Sequence, residues 1–142
     1  MSRHTARIHV FNLIFQFPFY SDWCQSRLAE YLESVQDLED NLNVVIDDND
    51  KQFIVSEVTG TFAKQQELDA IIAKYLKDWD ISRIAKVDLA LLRLALYEIN
   101  HVSDISTATA INEVVEIAKV YGTDESSAFV NGLLGQAVRE NA

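Results

Sequence analysis

Apolar residues recur along most of the chain at helical rather than strand spacing. Val10, Leu13, Ile14 and Phe17 fall at i, i+3, i+4 and i+7, and Pro18 ends that helix because it lacks the amide donor and clashes with the preceding turn. Leu28, Tyr31, Leu32, Val35 and Leu38 repeat the period. Leu42 to Ile46 is a short apolar run with the look of a strand. Asp47-Asp48-Asn49-Asp50 then supplies N-caps and favourable charge for a helix carrying Phe53, Val55, Val58 and Phe62. Gly60 inside it marks a bend or a close packing contact. Leu68, Ile71, Ile72, Tyr75 and Leu76 continue the pattern. Asp80 or Ser82 is expected to cap a helix with Ile84, Val87, Leu91, Leu94 and Ala95. Ser106 or Thr107 opens another through Ile111, Val114, Val115 and Ala118, and Gly122 stops it. A last helix is expected from about Asp124 to Glu140, through Phe129, Val130, Leu133, Leu134 and Val138.

This pattern predicts an all-α fold: a compact bundle of about seven helices, arranged as two helical subdomains sharing one long helix. Composition supports it. The 142 residues suit one domain over 1–142, and one proline with four glycines is too little turn chemistry for an all-β chain. Cys24 is the only cysteine, so it forms no internal disulfide and reads as a small buried or half-buried apolar residue. No apolar h-region or span near 20 residues appears, which predicts a cytoplasmic protein with no membrane contact.

The net charge of −10 argues against nucleic acid until its distribution is considered. No acid precedes Asp22, where Arg3, His4, Arg7 and His9 stand alone. Nine acids and one base, Arg27, follow between Asp22 and Asp50. Arg3 and Arg7 are four apart and share a helix face, so with His4 they offer phosphate contacts; a solvated first turn is the plainer reading. Catalytic chemistry is missing: no Gly-rich phosphate loop, no HExxH, no Cys/His metal spacing and no calcium-loop glycine or glutamate beside Asp47–Asp50. We therefore expect neither enzyme activity, metal nor cofactor.

Three stretches carry a resemblance. The first is Trp79 with Ser82-Arg83-Ile84, Val87-Asp88 and Leu92-Arg93-Leu94-Ala95-Leu96-Tyr97-Glu98. The second is Ala110-Ile111-Asn112-Glu113, then Glu116-Ile117-Ala118-Lys119, Tyr121 and Gly122. The third is Ser127-Ala128-Phe129-Val130-Asn131-Gly132-Leu133-Leu134. In this order and spacing they resemble the NusB family of transcription antitermination factors. The match is strong from Trp79 to Leu134 and continues in outline through Thr5-Ala6-Arg7 and Phe15-Gln16.

The resemblance implies a non-enzymatic role: binding boxA-type single-stranded RNA of ribosomal RNA leader transcripts together with NusE, a small-subunit ribosomal protein, in a complex on RNA polymerase. Homodimers also occur in the family. It implies RNA contact through Arg3, His4, Arg7, Phe129 and Asn131, and places Asp88 at the NusE interface. Phe129 reads equally as core, Gly132 as a site of tight helix packing, and Asn112 and Glu113 as local capping residues. Arg93 and Glu98 read as structural ion-pair members. The chain departs from the family pattern where consecutive arginines are common (Ser2-Arg3-His4-Thr5-Ala6-Arg7), at Ala128 where lysine is common, and at Gly135 where an acid often stands. With its acidic charge, these departures leave open a helical interaction module that keeps the fold without RNA binding.

Overall fold

The computed structural model describes residues 1–16, 25–41, 46–76 and 80–141. The expected stop at Phe17-Pro18, Cys24, the run Leu42–Val45 and Trp79 lie outside the described residues. Among the described residues there are seven α-helices and no strand: α1 (Arg3–Phe15), α2 (Gln25–Asn41), α3 (Asp48–Ala63), α4 (Gln65–Lys74), α5 (Lys86–His101), α6 (Thr107–Tyr121) and α7 (Ser126–Asn141). A 3-10 turn over Ile81–Arg83 precedes α5.

Side-chain caps set three of the helix starts among the described residues. Ser2 accepts from the Thr5 amide at 3.0 Å to cap α1. Asp47 and Asp50 form a reciprocal capping box at the start of α3, so this acidic stretch serves the helix terminus. Ser106 caps α6 by accepting from the Thr109 amide. Asp80 caps the 3-10 turn rather than α5, which begins after Ala85 with no side-chain cap. The last helix starts at Ser126, two residues later than its periodicity predicts. The Ser126 hydroxyl is buried and takes up the Thr123 amide at 2.9 Å, which keeps 123–125 in a turn.

Helix α5 organises the packing. Every residue from Asp88 to Leu96 is buried, the charged Asp88 and Arg93 among them, so the helix is enclosed around its whole circumference, as a central helix must be. It packs against α1, α3 and α4 on one side of the chain order and against α6 and α7 on the other, and one continuous core joins both groups. The two expected sub-bundles thus share α5. Arg93 of α5 makes a bidentate pair with Asp69 of α4 at 2.8 and 2.9 Å, the structural role expected of it.

The glycines divide sharply. At Gly60 a Cβ would lie 2.0, 2.2 and 2.6 Å from Oη, Cζ and Cε1 of Tyr97, so its absence lets α3 approach α5. At Gly122 a Cβ would meet the Ser126 side chain at 2.5 Å, so this helix stop works through space rather than a left-handed backbone. Gly132 has nothing within 4 Å of a Cβ, and the expectation of tight packing there is corrected.

Replacing Gly60 by Ala is expected to destabilise the protein by about 1–3 kcal/mol through overpacking. Gly132→Ala should stabilise it by about 0.5–1 kcal/mol through helix propensity alone. Parallel urea melts of the two variants check both signs.

Candidate nucleic-acid interface

The N-terminal helix carries its two arginines on one face, as the spacing predicts: the Arg3 guanidinium stacks 4.1 Å from the Phe53 ring centre and that of Arg7 lies 5.4 Å from it. Their environments nevertheless differ. Arg7 is 3% exposed, and its Nε donates to both carboxylate oxygens of Glu98 on α5 at 3.1 Å. The Glu113 carboxylate stands 3.9 Å from its Nη1. So enclosed, the guanidinium is engaged by carboxylates of the chain itself, and a phosphate contact there would compete with Glu98. The side chain is a structural bolt between α1 and α5.

Arg3 is exposed and His4 is half-exposed. His4 Nδ1 meets the Glu113 carboxylate of α6, which fixes the start of α1 against α6. Arg3 and Arg7 line a cleft of about 550 Å³ together with Phe53, Tyr97, Thr109 and two acids, Asp104 and Glu113. At the cleft wall lies Glu57 of α3, a residue that periodicity alone does not single out. It is 2% exposed, and neither carboxyl oxygen has a hydrogen-bond partner. Burial pushes this carboxyl up to about 9, the Glu98 carboxylate adds to the rise, and the guanidiniums of Arg7 and Arg3 oppose it. Glu57 is therefore a neutral acid at pH 7.

The start of α7 presents the remaining candidates. Phe129 is 37% exposed rather than core. It lines a groove of about 560 Å³ with Tyr75, Arg83, Asp88 and Glu125. Asp88 Oδ1 and Tyr75 Oη are both buried there without a partner, two polar atoms that an incoming donor would satisfy. Asn131 is exposed, but it follows Phe129 by two positions, about 200° around a helix, and lines a different groove with Thr109 and Asn112. Thr109 also lines the Arg3 cleft. The structure thus distributes the predicted residues over three neighbouring depressions: Arg3 and Arg7 in the first, Phe129 with Asp88 in the second, and Asn131 in the third, which shares Thr109 with the first. Glu57, Tyr75 and Asn112 join them through folding; only Asn112 carried a signal in the sequence, in the Ala110–Glu113 motif. No group of three potential metal ligands occurs among the described residues, and no helix there is long and apolar enough to cross a membrane.

Comparison with known proteins places these features in context. The NusB family profile matches residues 4–139. A transcription antitermination protein NusB of Acetivibrio thermocellus is 40% identical over 139 residues, covering 98% of this chain and 90% of the relative. That of Agathobacter rectalis is 42% identical over 136 residues, covering 96% and 98%. The crystal structure of NusB from T. maritima superposes with a TM-score of 0.83 at 34% identity, covering 99% of this chain and 92% of the other.

Glu57 gives the protein a measurable pH dependence. The unfolded chain ionises it near 4.5, whereas the folded protein holds the proton to about 9. Folding therefore takes up a proton between those values; the contribution of this group to stability is fully present below the lower value and falls as pH rises toward the upper one. At pH 7 the penalty is on the order of 3 kcal/mol. Glu57→Gln, neutral and of equal size, is expected to be more stable than the parent at pH 7–8, with the difference shrinking toward pH 5. Urea unfolding across that range reads it, and a pH-independent difference would contradict a neutral Glu57.

Proposed function

Because this chain belongs to the NusB family, we propose that it is a transcription antitermination factor, binding boxA-type RNA of ribosomal RNA leader transcripts together with NusE in a complex on RNA polymerase. It acts by binding rather than by catalysis, and in the cytoplasm. The observation that carries the reading is near-full-length similarity at 40% identity to a transcription antitermination protein. The exposed Arg3, half-exposed His4 and exposed aromatic Phe129 support it, since phosphates and unstacked bases are bound by such groups. With Arg7 committed to Glu98, the basic surface on α1 is thin. Affinity then comes from pooling contacts with NusE, which raises the effective concentration of each set of groups for the RNA. Asp88 Oδ1, which has no partner within the chain, supports the groove beside Phe129 as the NusE side of the surface.

Titration of boxA RNA into the protein, with and without NusE, tests the proposal: the pair should bind more tightly than either alone. Three substitutions then separate the roles. Arg3→Ala should fold normally, weaken binding to all RNA sequences and shallow the salt slope by about 0.7. Arg7→Ala should instead cost about 3–5 kcal/mol of stability, because Glu98 is left buried without its partner. Phe129→Ala, which removes a ring only 37% exposed, should lower stability modestly and cost about 1–3 kcal/mol of RNA binding with the salt slope intact. Unchanged RNA affinity for Arg3→Ala in the presence of NusE would remove α1 from the interface.

A further inference from the structure

The groove that joins the Arg3 cleft to α7 has a chemistry of its own. It encloses about 530 Å³ and is lined by Ala108, Thr109, Ile111 and Asn112 of α6 and by Asn131 of α7. No charged side chain lines it, in a chain of net charge −10. Thr109 Oγ1 is already engaged by the Ser106 hydroxyl at 2.8 Å. The carboxamides of Asn112 and Asn131 are exposed, and neither hydrogen-bonds to another described residue. Two uncommitted amides from adjacent helices therefore share one uncharged depression. Thr109 lines both this groove and the cleft holding Arg3, and the groove reaches α7 two residues from Phe129.

We propose that this groove receives an unpaired base of the bound RNA and that Asn112, with Asn131, reads the edge of that base. The inference rests on the RNA-binding reading above and adds to it the residue and the chemistry of recognition. A phosphate would need a cation, and none lines the groove. A carboxamide instead donates and accepts at once. It matches a base edge that sets a ring-nitrogen acceptor beside an amino donor, which an unpaired adenine or cytosine presents and guanine and uracil do not present on their Watson–Crick edges. Single-stranded RNA exposes such edges, so reading them requires no entry into a helical groove. Arg3 then holds backbone on one side while the amides select the base beside it.

The test uses the full-length protein with NusE and a single-stranded boxA RNA, plus a set in which each adenosine in turn is replaced by purine riboside and each cytidine by 2-pyrimidinone riboside, both of which lack the amino group. The parent protein should lose affinity about 5- to 150-fold at one of these positions. Asn112→Ala should lose a similar factor on the unmodified RNA, no longer distinguish the two nucleosides at that position, and keep the salt slope and the melting curve of the parent. Asn131→Ala should lose discrimination at the same position, and the double variant should lose less than the product of the two. If the parent binds the RNA and Asn112→Ala retains both affinity and discrimination, the groove is not a base site, while the RNA-binding function stands. If Asn112→Ala weakens NusE binding in the absence of RNA, the occupant is protein and the inference is overturned. If the parent fails to bind RNA with NusE, the functional reading itself falls, and this inference with it.

Discussion

A guanidinium removed from water must be met by carboxylate, and the Arg7–Glu98 pair is where this fold meets that demand. Arg7 sits in the middle of α1 and Glu98 near the end of α5, so the pair fixes both the rotation of α1 and its height along the central helix. Everything at the amino-terminal edge follows from that setting. Arg3, one turn earlier, is carried over Phe53, and His4 is brought to Glu113 of α6. The pair also sets the electrostatics of α3. With Glu98 already charged beside it and little water to solvate a second anion, Glu57 keeps its proton. The cluster holds one cation, one anion and one neutral acid, an arrangement that joins three helices without an unbalanced buried charge.

The apolar logic is built on the same helix. Because α5 is buried on all sides, it can receive α1, α3 and α4 as well as α6 and α7, and two sub-bundles are fused into one core. Close approach is then regulated by size. Gly60 admits the Tyr97 ring, and Gly122 leaves room for the Ser126 side chain that holds the turn into α7. The polar groups left exposed at the ends of α1, α6 and α7 are consequences of this packing, since each rides on a helix whose opposite face is locked into the core.

That arrangement gathers basic groups of a strongly acidic chain at one edge of the core. The acid-free N-terminal segment places Arg3 at a cleft that also carries Asp104 and Glu113, and an uncharged, amide-lined groove lies beside it across Thr109. Under the proposed function, thin positive charge limits indiscriminate attraction to phosphate, so selectivity would be left to hydrogen bonding, stacking and the partner protein.

The sequence by itself determined what short-range physics controls. Helical periodicity placed the seven helices that the described residues contain, and Asp47, Ser106 and Gly122 marked termini that the structure uses. The motifs from Trp79 to Leu134 were sufficient for family membership, because a family pattern is itself a linear record. Only the tertiary structure decided which of two arginines on one face remains in water. Spacing of four says that Arg3 and Arg7 point the same way, but not that Glu98, 91 residues away, reaches only Arg7. It likewise parted Phe129 from Asn131 and withdrew Gly132 from the packing, outcomes set by which helix lies alongside. Glu57 was invisible for the same reason: nothing local to α3 shows that its carboxyl will be buried against a charge on α5, and burial against a like charge is what keeps it neutral.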